Sequence, residues 1–315
     1  MNDTPSSAPH PKLPGGFKAR LGASGVHLYS RQTGLNVLLD EAKVPSDQWS
    51  NAPRHVSVAL TNDCDLHCSF CYAPKVAAKL DFEKLSCWLA DLDAEGALGV
   101  GFGGGEPTLY PRFAELCVYL NYKTKLAVSM TTHGHHLTDT LLDQLEGSVQ
   151  CIRVSIDGVG KRYESLRGRS FTQLVERLEA MKGRFFLGIN TVVNADTLND
   201  MDALADLAEL TGAKQFLLLP ERPARGRPGV DIHTINALRV WASNYRGPVE
   251  LAISEADGEG FQTCDPLAKE PGLRGYVHID AKGFMKRSSF DAEGIKIGDG
   301  GVLNALAKLR TDLQE

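Results

Sequence analysis

Six short apolar runs, separated by segments with the periodicity of amphipathic helices, occupy the middle of the chain. The runs are His55–Leu60, Leu98–Phe102, Leu126–Thr131, Cys151–Ile156, Phe185–Val193 and Lys214–Leu219. Between runs, apolar side chains recur on one helix face, as at Phe82, Leu85, Leu89 and Leu92 and again at Leu204, Leu207, Ala208 and Thr211. Serial βα units predict a parallel sheet with helical crossovers. Six units are too few for a closed eight-stranded barrel, so we predict an α/β fold with a partial (β/α)6 TIM-like barrel.

Composition divides the chain into four segments. Residues 1–16 contain four prolines and few large apolar side chains, which predicts a disordered tail. For residues 17–54 we predict a β-hairpin extension with a turn at Thr33-Gly34, followed by a linker. Residues 55–222 hold the βα units. For residues 223–315 we predict a small α+β extension. Its expected elements are a hairpin of Tyr276–Asp280 and Phe284–Arg287 and two helices, over His233–Tyr245 and Val302–Leu313.

Charge and hydropathy limit the possible partners. The net charge is −5 and no block of Lys and Arg is present, which argues against a nucleic-acid partner. No apolar run reaches the length of a signal peptide or of a membrane span. We therefore expect a cytoplasmic protein with neither a nucleic-acid nor a membrane partner.

The cysteines are unevenly distributed. Three of the seven fall within eight residues, at Cys64, Cys68 and Cys71, and the others are scattered at Cys87, Cys117, Cys151 and Cys264. This clustering indicates a metal site in a reducing compartment rather than disulfides. Thiolates at i, i+4 and i+7 can hold three corners of an iron–sulfur cubane and leave the fourth iron open. The alternatives are a structural zinc site, for which no second Cys/His pair lies nearby, and an electron-transfer cluster, which needs a fourth cysteine.

The segment Cys64-Asp-Leu-His-Cys68-Ser-Phe-Cys71 resembles the cluster loop of the radical S-adenosylmethionine (SAM) superfamily, and the resemblance covers residues 55–220. It implies a [4Fe–4S] cluster whose open iron is chelated by SAM. It further implies reductive cleavage of SAM to a 5′-deoxyadenosyl radical, which abstracts a hydrogen atom from the substrate. A flavodoxin- or ferredoxin-type protein is the implied electron donor.

Other motifs of the family follow at the ends of the predicted strands. Gly104, Gly105 and Glu106 resemble the GGE motif that contacts the SAM amino group. A G-x-G-x-x-G dinucleotide pattern beginning at Gly99 overlaps it, but that pattern spans the predicted strand instead of following it, which argues against a dinucleotide site.

The fourth run ends in a motif that resembles the sulfatase-maturating and peptide-modifying subgroup. By this resemblance Ser155 reaches the SAM ribose, Arg167 reaches the SAM carboxylate, and Asp157 belongs to the same cofactor site. Phe70 and Leu219 are the expected apolar contacts, Leu219 with the adenine. The segment 132–136 contains three histidines and is expected to be a substrate-side loop, since adjacent histidines on an extended chain point to opposite sides.

The C-terminal third resembles the SPASM/twitch extensions, which hold auxiliary [4Fe–4S] clusters. Cys264 is present, but Ser288-Ser289 stand where a cysteine is expected. We therefore predict that the auxiliary site is lost and that the chain holds one cluster. Cys264 is a candidate hydrogen-atom donor to a substrate radical, with a buried small apolar side chain as the alternative.

The subgroup resemblance favours a peptide or protein side chain as substrate. The strands within Val26–Asp40 are too small for the peptide-binding module common in that subgroup, so a small metabolite stays open as the alternative. The non-enzyme alternative is an iron–sulfur carrier or regulator, against which the SAM motifs argue.

Overall fold

A computed structural model describes residues 16–224, 226–254, 257–264, 267 and 269–313. The predicted disordered tail lies outside the described residues, apart from Gly16. The N-terminal extension is an antiparallel sheet of three strands, β1 (Lys18–Gly22), β2 (Gly25–Tyr29) and β3 (Asn36–Leu39), in that order.

The first of these strands was missed because its buried face is charged. Lys18 and Arg20 are 8% and 2% exposed, and they pair with Asp93 and Glu270. Buried ion pairs thus take the place of the apolar alternation by which a strand is recognised in a sequence.

All six predicted runs form neighbouring parallel strands of a ten-stranded sheet. They are β4 (His55–Thr61), β5 (Gly99–Gly104), β6 (Ala127–Thr132), β7 (Cys151–Ser155), β8 (Phe186–Val193) and β9 (Gln215–Pro220). Four C-terminal strands extend this sheet, namely β10 (Glu250–Ile253), β11 (Tyr276–Ile279), β12 (Phe284–Lys286) and β13 (Ile295–Lys296). The order is β10-β9-β8-β7-β6-β5-β4-β11-β12-β13.

Eight α-helices are found in the described part of the chain. They are α1 (Phe82–Ala94), α2 (Phe113–Lys123), α3 (Asp139–Leu145), α4 (Gly160–Arg167), α5 (Phe171–Met181), α6 (Met201–Leu210), α7 (Ile232–Asn244) and α8 (Gly301–Leu313). The predicted apolar faces of α1 and α6 are buried in the core. Burial of each leucine contributes about 2 kcal/mol. None of the described helices is long and apolar enough to cross a membrane.

The predicted C-terminal hairpin is present, but its place in the fold was not predicted. β11 pairs in parallel with β4, with Tyr276 opposite His55 and Ile279 opposite Val58. β10 pairs with β9 at the other edge. The C-terminal third therefore contributes side chains to the inner face of the same sheet.

Candidate functional site

A cavity of about 1380 Å³ lies on the inner face of the sheet and is lined from β4 through β9 and from β11 and β12. Most of the predicted site residues line it, namely Cys64, Cys68, Phe70, Cys71, Gly104, Gly105, Ser155, Arg167 and Leu219. Glu106, Asp157 and Cys264 are not part of this lining. The strand ends therefore bring together side chains that lie more than 150 residues apart in sequence.

The cluster loop follows β4 and places its three cysteines in a largely apolar setting. Leu66, Cys68 and Phe70 are buried together against Leu166 and Val192. Burial raises the pKa of the Cys64 and Cys68 thiols, so a bound metal would have to supply their deprotonation. The Leu66 N–H donates to the Cys64 Sγ at 3.5 Å. Such N–H···S bonds tune iron–sulfur clusters.

The spacing of the thiols fits a polynuclear cluster better than a single ion. The potential metal ligands that lie within 4.8 Å of one another are Cys64, Asp65 and His133, and this group excludes Cys68 and Cys71. One tetrahedral zinc ion at about 2.3 Å from each sulfur would draw the thiolates together. A cubane keeps them apart, because each thiolate binds its own iron. His67, the histidine of the cluster loop itself, is exposed.

Asp65 anchors the cluster loop to neighbouring loops. Its carboxylate accepts hydrogen bonds from His133 Nε2 at 2.9 Å, His136 Nε2 at 3.2 Å and Arg169 Nη2. Although burial acts in the opposite direction, His133 and His136 hold the pKa of Asp65 at about 2. Both carboxylate oxygens of Asp65 accept hydrogen bonds from neighbouring loops, so Asp65 holds the cluster loop in place.

The same contacts place the histidine segment beside the cluster loop. Thr132 and His133 line the cavity, and the substrate-side role of the segment stays a prediction. His133 and His136 also pair with Asp65 of the cluster loop, and His133 is only 4% exposed. His135 bonds the hydroxyl of buried Tyr163 at 2.8 Å. The cause is Asp65, whose charge attracts the imidazoles across 68 residues of sequence.

The glycine motif brings the backbone after β5 close to the cluster loop. Gly104 has φ +118°, and a Cβ on Gly105 would lie 2.1 Å from the carbonyl oxygen of Asp63. Only glycine allows so close an approach. The Glu106 side chain, 1% exposed, is not part of the cavity lining, and it accepts hydrogen bonds from Thr132 Oγ1 at 2.7 Å and from the His133 N–H at 3.0 Å. Its carboxylate supports the motif from behind.

Asp157 positions Arg167. Asp157 is fully buried; its Oδ1 accepts from the Val192 N–H at 2.7 Å and its Oδ2 from Arg167 Nε at 2.7 Å. Burial alone would lower the pKa of Arg167, but Asp157 and Cys68 raise it overall. The guanidinium lies 5.5 Å from the ring centroid of Phe70. Asp157 therefore orients a cation that lines the cavity, without lining the cavity itself.

Cys264 is exposed, so the alternative of a buried apolar side chain is wrong. The hydrogen-donor role stays a prediction, and the cavity lining gives it no support.

Several polar side chains of the cavity were not predicted as site residues, namely His55, Cys151, Arg153, Asn190 and His278. A signal was available for β7. Cys151 and Arg153 alternate with buried Ile152 and Val154, and so share a face with Ser155.

Comparison with known proteins agrees with this geometry. The family model described as Radical SAM superfamily matches residues 58–208. The AdoMet-dependent heme synthase of Methanosarcina barkeri is 28% identical over 54% of this chain and 52% of its own length. The mycofactocin maturase MftC of Mycobacterium tuberculosis is 27% identical over 71% of this chain and 59% of its own length. The chain spans about half the length of the first curated relatives it matches.

Among solved structures, Streptococcus suis SuiB bound to precursor peptide SuiA superposes with a TM-score of 0.76. The alignment covers 92% of this chain and 87% of SuiB at 14% identity, which shows a shared fold and confirms the predicted partial barrel. The three-cysteine loop, the glycine turn after β5 and the family match over residues 58–208 agree. The chain therefore contains a radical SAM domain over residues 58–208.

Proposed function

We propose that this protein reductively cleaves SAM at a single [4Fe–4S] cluster held by Cys64, Cys68 and Cys71, and that it abstracts a hydrogen atom from a bound substrate. The observation that carries the proposal is that the three thiols open onto the same cavity as the glycine turn, Ser155 and Arg167. When bound, the cluster and SAM supply the electron transfer and the 5′-deoxyadenosyl radical. A flavodoxin- or ferredoxin-type donor would supply the electron.

The protein's own groups bind and orient the cofactor. The backbone at Gly104 and Gly105 would contact SAM at close range, and the Ser155 hydroxyl, which lines the same cavity, would bind the ribose. Arg167, held by Asp157, is the cation available to the SAM carboxylate. Phe70 and Leu219 add apolar surface to the lining of the cavity. A radical needs such a wall, because solvent and stray hydrogen donors would quench it.

We assign residues 17–54 to an N-terminal extension, 55–222 to the radical SAM core and 223–315 to a C-terminal region without a cluster. The last region contains one cysteine, exposed Cys264. Where auxiliary ligands were expected, Ser289 lines the cavity beside Phe290, whose ring contacts Tyr72 at 4.3 Å between centroids. Arg222 lies 4.8 Å from the same ring. Aromatic packing and a nearby cation therefore occupy this side of the cavity.

The proposed substrate is a peptide or protein side chain. Support comes from the likeness to MftC, named as a maturase, and to SuiB, whose structure contains a precursor peptide. A small metabolite is the second candidate, favoured by the polar side chains deep in the cavity and by the likeness to a heme synthase.

The test is anaerobic reconstitution followed by iron and sulfide counts, reduction with dithionite and measurement of 5′-deoxyadenosine. One cubane predicts about four irons per chain. Cys68→Ala should lose both iron and 5′-deoxyadenosine, whereas Cys87→Ala, which changes an exposed cysteine outside the cavity, should keep both. About eight irons would contradict a cluster-free C-terminal region. A loaded, reducible cluster that yields no 5′-deoxyadenosine with candidate substrates would favour the carrier alternative.

A further inference from the structure

Arg153 lies inside the barrel with neutral partners. It projects from the middle of β7 into the cavity, on the same face as Ser155. Its Nη1 lies 3.4 Å from Asn190 Oδ1, and its Nη2 donates to Gln215 Oε1. Both acceptors are amide oxygens, so the guanidinium charge is not neutralised by either.

The other cations of the cavity are placed differently. Five described lysines and arginines line it, namely Arg153, Arg167, Arg222, Lys282 and Lys286. Three have carboxylate partners, in the pairs Arg167–Asp157, Arg222–Asp257 and Lys286–Asp280. Lys282 is exposed at the tip of a hairpin. Arg153 is thus the one cation of the described lining that is held within the barrel without a carboxylate within 4 Å.

An arginine in this position has unused binding capacity. A guanidinium carries five N–H donors in a rigid planar fork, and the two amide contacts use two of them. The fork matches the oxygens of a carboxylate or phosphate, which can accept two parallel hydrogen bonds. Arg153 is half-buried, and an anion from a ligand would supply the counter-ion that its described neighbours do not provide.

The neighbouring backbone leaves room for such a ligand. In the strand register Arg153 lies opposite Thr131 on β6 and Gly188 on β8. A Cβ on Gly188 would lie 3.1 Å from Arg153 Nη1, and a Cβ on Gly103 of β5 would meet nothing within 4 Å. Glycine weakens a central strand unless something approaches closely. Here the guanidinium approaches Gly188 of β8, and the space beside Gly103 of β5 is open to a ligand.

The side chain of His55, on β4, adds no competing positive charge to this lining. His55 reaches over β5, where its Nε2 would lie 3.0 Å from a Cβ on Gly101. Burial, aided by Arg54 and Arg153, lowers the pKa of His55 to about 4, so the imidazole is neutral near pH 7. It can therefore serve as a neutral hydrogen-bonding partner for the same ligand.

We propose that Arg153 binds an oxyanion of the substrate, a carboxylate or a phosphate, deep in the barrel. Arg153 precedes Ser155 by two residues, so the two positions are about 6.6 Å apart along the strand. A substrate held by its anion at Arg153 extends from there toward the end of the cavity that carries the thiols. This geometry rests on the proposed function only for the location of SAM, and the anion site itself does not depend on it.

The experiment compares thermal unfolding of the reconstituted protein in sodium chloride, sodium phosphate and sodium succinate at equal ionic strength. An oxyanion well above its dissociation constant should raise the melting temperature by about 2 to 4 °C over chloride. Arg153→Gln should abolish this increment and Arg153→Lys should reduce it. Arg184→Gln, which removes the same charge from a surface ion pair with Asp143 and Glu146, should keep it.

Each result decides the question. If Arg153 only braces β7 against β8 and β9, Arg153→Gln lowers the melting temperature equally in all three salts, which overturns the proposal. Absence of an increment in the unsubstituted protein overturns it as well. An increment with phosphate alone assigns a phosphorylated molecule, and one with succinate alone assigns a carboxylate. Because no turnover is measured, this outcome is separate from the 5′-deoxyadenosine assay that tests the proposed function.

Discussion

The cavity has two walls that acquire their structure by different means. The cluster wall, residues 62–74 with the glycine turn after β5, presents three thiols to the cavity and is braced from behind by Asp65 and Glu106. The C-terminal wall, residues 276–294, is a strand pair joined to β4 and supported by the Lys286–Asp280 pair. One wall carries the proposed metal ligands, whereas the other is built from packing and ion pairs. Metal removal should therefore affect them unequally.

The largest expected effect is on the cluster wall. Cys68→Ala should lower 5′-deoxyadenosine formation at least about a thousandfold, because a cubane with two protein ligands is not retained. The matched change in the C-terminal wall, Ser289→Ala, should leave the iron content near four per chain. Reversed-phase chromatography measures the 5′-deoxyadenosine formed, and an iron assay measures the metal content of each variant. Iron loss in Ser289→Ala would show that this wall also binds metal.

A smaller effect is expected from Asp157→Asn. The substitution keeps the shape of the side chain but removes the charge that orients Arg167, so SAM affinity should fall about 10- to 100-fold. Equilibrium binding of SAM to the reconstituted protein measures it. Asp143→Asn, in an exposed pair with Arg184, should change nothing. Unchanged SAM binding in Asp157→Asn would mean that Arg167 does not reach the cofactor.

A smaller effect than that of Asp157→Asn is expected from Asp65→Asn. The amide retains hydrogen bonds but loses the charge that attracts His133, His136 and Arg169. The cluster should be lost to a chelator about tenfold faster, because groups that hold the ligand loop control retention of the metal. Bleaching of the cluster absorption with time measures this rate, with exposed Asp63→Asn as the control from the same wall. Equal rates would show that the loop holds its shape without Asp65.

The smallest effect concerns the C-terminal wall and pH. Burial lowers the pKa of His278 to about 4, below the ordinary value of 6.5, so the unfolded chain binds the extra proton more readily. The neutral form of His278 contributes fully to the free energy of unfolding above about pH 7.5. That contribution is lost as the pH falls through 6.5 toward 4, and the loss between pH 7.5 and 5.5 is on the order of 1 kcal/mol. Anaerobic thermal melts at both pH values should show a smaller drop for His278→Gln than for the unsubstituted protein. An equal drop would place the acid sensitivity elsewhere.

Local patterns were sufficient for the radical SAM half of the molecule. The six strands, the buried faces of α1 and α6, and the thiol loop all follow from periodicity and spacing within short windows. The patterns failed where partners come from afar. β1 buries Lys18 and Arg20 because Asp93 and Glu270 meet them, the latter 250 residues away. Likewise, the histidine segment is placed by Asp65.

The sequence by itself determined the parallel βα core, the three thiols and the glycine turn that approaches them, because each depends on side-chain period or on local backbone freedom. Only the tertiary structure decided which charges are neutralised. It paired Arg167 with Asp157 and left Arg153 facing the cavity with amide partners alone, although the two arginines are 14 residues apart and equally charged in the sequence. The reason is physical: the effect of a charge depends on its neighbours within a few ångströms, and in a sheet those neighbours come from other strands.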